Sequence, residues 1–169
     1  MPEKFTSPEA KMSPEEKMYG MIDKMRMNRT SMLARKAEKE KIDEQIESLL
    51  ASSEETGEEM VNTIMELEDL RQKRYQTVSE IRKMSLENAA LHNSVEDLKE
   101  KVSEPQKKEE VFTEQEEEWF EQGDKIGEDI RQSALKVIRE AKAGKIKPEE
   151  ISLPVNEEEI DAWLEQPAA

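Results

Sequence analysis

IRKMSLENAALHNSVEDLKEKV, residues 81–102, decides how this chain is read. Ile81, Asn88, Val95 and Val102 recur at seven-residue intervals, and Met84, Leu91 and Leu98 form a second such series three positions on. These are the a and d positions of a heptad repeat, which hold one stripe of a helix against a partner helix. An Asn at an a position costs stability relative to Ile or Val. It is best satisfied by another Asn at the same level of a parallel partner, and β-branched a residues with Leu at d favour the same two-stranded arrangement. The stretch therefore predicts a parallel two-stranded zipper with Asn88 setting the register. The competing placement puts Asn88 at the edge of a helix packed within one chain. At the flanking positions Glu87 faces His92 of the partner while Ser85 and Ser94 add nothing, so homodimer and heterodimer both stay open.

Composition agrees with long helices. Of 169 residues, 34% are hydrophobic, 4% aromatic and 40% charged, too little apolar volume for a compact core. The net charge of −15 disfavours nucleic acid and anionic lipid as main partners. There is no cysteine, which excludes a disulfide framework, a thiolate metal site and a cysteine nucleophile. No apolar run is long enough to span a bilayer, and the N-terminal stretch has neither signal-peptide nor transit-peptide character. The expectation is a cytoplasmic or nuclear protein that is neither secreted nor transmembrane.

Working outward, four helix-start signatures divide the chain: Ser13-Pro14-Glu15-Glu16, Thr56-Gly57-Glu58-Glu59, Thr113-Glu114-Gln115-Glu116 and Asn156-Glu157-Glu158-Glu159. In each, a short polar side chain accepts from a free first-turn N–H and a Glu three residues on reaches back to the cap amide. The predicted organisation is all-α and elongated. Residues 1–13 form a disordered tail. Residues 14–53 form a Met-rich and basic helix in which Met18, Met21, Ile22, Met25, Met32 and Leu33 share a broad face. Residues 57–103 form a coiled coil containing the 81–102 zipper. Residues 104–112 are a linker, and 113–143 an acidic amphipathic helix with Gly144 as its stop. Residues 144–169 are an extended segment and a short Trp-containing helix.

Within 57–103, Met60, Ile64, Leu67, Val78 and Ile81 make an early stripe broken by Arg71 and Arg74. The three-and-three spacing of Val78, Ile81 and Met84 reads as a stammer. Dimerisation through residues 60–102 would use Ile64, Leu67, Val78, Ile81, Met84, Asn88, Leu91, Val95, Leu98 and Val102. Whether 14–53 and 57–103 fold back as a hairpin is open. Heptad spacing runs through the junction, while Gly57 in a helix interior would cost about 1 kcal/mol and favours a break.

Catalytic chemistry is not expected. His92 is the single histidine and falls beside the zipper seam, where a solvated imidazole is the ordinary outcome. No nucleophile motif, phosphate-binding loop or calcium loop occurs, and acidic groups on long exposed helices read as solvated faces. No cofactor and no metal are expected. The stretch before the zipper, MELEDLRQKRYQTVSE, is too acidic for a DNA-contacting basic region.

Three features suggest protein partners. Met25, Arg26, Arg29 and Met32 lie in a Met/basic island (residues 24–41) suited to an acidic partner, or else to an ordinary helix seam. Trp119 and Phe120 form an acidic aromatic pair. Ile160, Trp163 and Leu164 share one face of the last helix and read as a short docking motif. Ser7 and Ser13 precede prolines and are candidate phosphorylation sites. The reading is a non-enzymatic coiled-coil structural or adaptor subunit of a larger assembly, of cytoskeletal, centrosomal, kinetochore or ciliary type. The alternatives are a regulatory inhibitor or cofactor acting through its acidic tail, and a viral or phage assembly scaffold.

Overall fold

The structure is a computed structural model that describes residues 13–52, 57–101, 112–151 and 157–166. Among these it holds four α-helices and no strand. They are α1 (Pro14–Ser52), α2 (Glu58–Lys101), α3 (Glu114–Lys142) and α4 (Glu157–Glu165), with a 3-10 turn at Pro148–Glu150.

Local chemistry sets the helix ends. At α1 the Glu16 amide donates to Ser13 Oγ (3.1 Å) and the Ser13 amide to the Glu16 carboxylate (3.2 Å), a complete capping box. Thr113 and Glu116 repeat it at α3. The other two starts come where expected, at Glu58 and Glu157, but Thr56 and Asn156 lie outside the described residues. α3 stops as Gly144 predicts. Gly144 takes φ +73, its amide donates to Ala141 O (3.1 Å), and the Lys145 amide donates to Glu140 O (2.9 Å). This paired-bond terminus needs a left-handed residue at Gly144. Residues beyond it are not wholly extended, because Lys147 leads into the 3-10 turn. Ser13 is an ordered cap and no part of a disordered tail; residues 1–12, with Ser7, lie outside the description.

Two compact units divide the chain: Arg29–Met84, and the described residues up to Asn28 together with those from Ser85 onward. The first is a helical hairpin. Arg35 Nε lies 2.7 Å from Glu80 and Arg74 Nε 2.6 Å from Asp43, so α1 and α2 run antiparallel. Its core is thin: Met32, Ile42, Val78 and Ile81 are buried, with Lys36, Lys39, Thr77 and Arg82 buried among them. Long basic stems supply part of the apolar contact. Lys36 delivers its ammonium to Glu40.

The second unit carries the larger core. The start of α1 contributes Met18, Ile22 and Met25, α2 Val95, α3 Trp119, Phe120, Ile126 and Ile130, and α4 Ile160, Trp163 and Leu164. Here too α1 and α2 are antiparallel, with Lys24 2.8 Å from Glu87 and Asn28 Nδ2 donating to Asn88 Oδ1 at 2.9 Å. Asn88 Nδ2 donates to Met25 O at 3.3 Å. Asn88 is therefore satisfied inside its own chain by Asn28, the within-chain placement, and not by its counterpart across a parallel zipper. The hairpin question is settled the same way: the helices reverse, and Gly57, at φ +85, sits at the start of α2.

The phase of α2 also differs from expectation. Val78, Ile81, Ser85, Asn88, His92 and Val95 form the buried series, spaced alternately three and four with no stammer, and Thr77 and Arg82 are buried beside it. Met84, Leu91 and Leu98 are only half-buried, and Val102 lies outside the described residues. The reason is close approach by α3. A Cβ on Gly127 would lie 2.8 Å from Ala89 Cβ and 3.8 Å from Ser85 O, so small residues define the inner face of α2 there, not large ones.

The Asn pair yields a testable consequence. Asn88→Leu leaves the buried Asn28 amide without its acceptor and is expected to destabilise the protein by about 1–3 kcal/mol. Adding Asn28→Leu should recover most of that loss, because no polar group then remains stranded. Urea unfolding of the single and double variants measures both; two additive losses would contradict the pairing.

Candidate functional site

Two features stand out once the helices are in place. The first is an apolar stripe left open near the turn of the hairpin. Met60, Val61, Ile64 and Met65 lie within the first turns of α2 and are 37–61% exposed, and Leu50 near the end of α1 is 55% exposed. Close by, a groove between the two helices is lined by Leu49 and Leu70 among Lys41, Glu44, Glu66, Asp69 and Lys73. Here the hairpin does not bury its own apolar side chains. Ile64 and Leu67, expected at an interface, belong to this region: Ile64 is exposed and Leu67 half-exposed.

The second feature is a polar cluster inside the larger unit. His92 is a buried position of α2, not a solvated flank of it. Its Nδ1 lies 2.5 Å from Asp124 Oδ2 of α3. Its ring stacks on Phe120 (centroids 5.8 Å apart, planes 29° apart) and meets Phe112 edge-on at 5.9 Å. Nε2 makes no hydrogen bond and points toward Glu96 Oε1 (3.5 Å), one turn on in α2, and Glu117 Oε1 (3.6 Å) of α3. Lys99 closes the far side, 2.9 Å from Glu96 and 3.5 Å from Glu117, with its Nζ 5.0 Å from the centre of the Phe112 ring.

The electrostatics follow from this list. Burial opposes charge on His92, but the hydrogen bond and charge of Asp124, with the charges of Glu117 and Glu96, outweigh it and raise the imidazole above its ordinary value. Burial likewise pushes Glu96 up. The Lys99 ammonium and the His92 charge hold it below the usual carboxylate range instead. His92, Glu96 and Glu117 are the described residues whose ligand atoms converge, all within 4.8 Å of one another.

Met25 and Met32 are buried in helix seams, so they offer no surface for docking. Arg26 makes a two-pronged contact with Glu116 of α3 at 2.9 and 3.1 Å, and Arg29 is half-buried. The aromatic anchors expected to fill a partner's pocket fill one in their own chain. Trp119 and Trp163 stack with centroids 4.1 Å apart, and each indole Nε1–H donates to the other residue's carbonyl at 2.9 and 2.8 Å. Phe120, Ile160 and Leu164 are buried around them. Trp163, read from the sequence as part of a docking motif, is instead buried against Trp119 of α3, 44 residues away.

Sequence reasoning missed three things: His92 as an interior residue, Phe112 as its aromatic neighbour, and the pair Gly123 and Gly127. The glycine spacing in α3 was the available signal. A Cβ at Gly123 would stand 2.6 Å from Trp163 Cζ2, so this glycine is the seat of the indole.

No family model matches this chain, and neither a curated protein nor a solved structure is significantly similar to it. It is an all-helical protein in which no described helix is long and apolar enough to cross a membrane.

Proposed function

We propose that this protein is a non-enzymatic helical adaptor or structural subunit that associates through the open apolar stripe at the turn of its hairpin. The observation carrying this reading is the exposure of Met60, Val61, Ile64 and Met65, four large apolar side chains on adjacent turns of one helix. Contiguous apolar surface of this kind marks an interaction site. Its occupant is the same hairpin of a second copy. The stripe offers helix-packing residues at three- and four-residue spacing, and the groove beside it carries both signs of charge, which suits a self-complementary interface. The acidic C-terminal helix is a weaker candidate for docking, because Ile160, Trp163 and Leu164 are already buried.

Light scattering of the wild-type chain beside the double variant Val61→Glu/Ile64→Glu tests this. The expected result is a dimer converted to a monomer of unchanged helicity. A wild-type monomer, or a dimer untouched by the substitutions, would overturn self-association through the stripe. Retention of the wild type but not the variant by another helical protein would then mark a different occupant.

A further inference from the structure

We propose that His92, Glu96 and Glu117 form a binding site for a divalent transition-metal ion of the zinc class, with Asp124 as the residue that orients the imidazole. This goes beyond the adaptor reading and does not depend on it, since the site and the apolar stripe share no residue.

Geometry carries the argument. His92 and Glu96 are four apart on α2, so they project from one face of the helix, and Glu117 comes from the first turns of α3. Nε2 lies 3.5 and 3.6 Å from the nearer oxygens of Glu96 and Glu117. A tetrahedral zinc ion with arms of about 2.0–2.1 Å sets its ligand atoms roughly 3.3 Å apart, so the two distances from Nε2 need contract by only a few tenths of an ångström, and the three ligand atoms already lie within 4.8 Å of one another. A fourth position is left for water.

Acidic groups alone would carry nothing. The independent observation is His92 itself. Its side chain is only 4% exposed, yet Nε2 makes no hydrogen bond and faces the two carboxylates. Asp124 explains why. By accepting a hydrogen bond from Nδ1–H it selects, in the neutral imidazole, the tautomer whose lone pair is on Nε2, the carboxylate–histidine pairing that supports metal-bound imidazoles. Phe112 and Phe120 against the ring restrict its rotation.

Charge completes the case. Two ionised carboxylates, a neutral imidazole and a divalent ion sum to zero. Without a metal, Lys99 and a proton on Nε2 are the cations at hand, and both compete with it. Lys99 is on the last turns of α2 with a long flexible stem, and it must leave Glu96 for the ion to enter. Imidazole with carboxylate oxygens is a donor set for zinc or cobalt, and poorer for calcium or magnesium, which prefer oxygen alone.

Titration of the full-length chain with zinc chloride above neutral pH, followed by calorimetry and by NMR of its one imidazole, tests the site. The expected result is one zinc per chain with a shifted His92 ring signal. His92→Gln and Glu117→Gln should remove that step, Asp124→Asn should weaken it about 10–100-fold, and Lys99→Met should tighten it. Zinc uptake that leaves the His92 signal unmoved and is the same in His92→Gln is binding by the acidic surface only, and would overturn the proposal. So would looser binding in Lys99→Met. Circular dichroism of each variant separates loss of the site from loss of fold, and Lys99→Met, the expected gain, cannot be mimicked by unfolding.

Discussion

Replacing Trp163 with alanine is expected to cost about 3–5 kcal/mol and to detach α4. The indole is buried, stacked on Trp119 at 4.1 Å, and tied to the Trp119 carbonyl by its own N–H at 2.8 Å. The return bond from Trp119 to the Trp163 carbonyl holds only while α4 stays docked, so both go together. α4 has 9 residues, too few to stand as an isolated helix in water. Its order therefore depends on the contacts that Trp163, Ile160 and Leu164 make with the rest of the unit. Thermal unfolding with near-ultraviolet circular dichroism checks this, because the stacked indoles should give a coupled signal that Trp163→Ala abolishes. Trp163→Phe should retain part of the stability but lose the hydrogen bond. A Trp163→Ala variant as stable as wild type would contradict the packing described.

Gly123→Ala should behave in opposite ways in two backgrounds. In the wild-type chain the added Cβ meets Trp163 Cζ2 at 2.6 Å, and the indole cannot swing away because stacking and its N–H bond hold it. Overpacking of this sort costs about 1–3 kcal/mol. Where Trp163 is already alanine the obstacle is gone, and replacing a mid-helix glycine by alanine gains up to about 1 kcal/mol. The sign of the effect thus inverts, and a double-mutant cycle in urea reads the coupling directly. Equal effects in both backgrounds would mean that Gly123 does not seat the ring.

Much of the secondary structure was legible. Ser13 and Thr113 cap helices as their local sequences require, Gly144 ends α3, and the break before α2 coincides with Gly57. Those features depend on a few neighbouring residues and on backbone conformation, so they survive without knowledge of the rest of the chain. Heptads in α1 and α2 likewise announced helices that pack on helices.

What pairs with what was not legible. A heptad states that a partner exists and is silent on whether it is another molecule or the same chain folded back. Asn88 looked alike in both cases, and Asn28, whose amide donates to it, stood 60 residues away without any zipper context. Choosing Met84, Leu91 and Leu98 as the inner series followed hydrophobicity, but the approach of α3 over Ser85 and Ala89 rewards small side chains instead. His92 followed that shift from flank to interior, and only then did Asp124, Glu96 and Glu117 surround it. Local rules set where helices start, stop and turn apolar, because short-range forces act within a few residues. The Trp119–Trp163 lock, the His92 cluster and the open stripe at Met60–Met65 come from long-range packing. There the free energy depends on which surfaces meet, and one-dimensional spacing does not encode that.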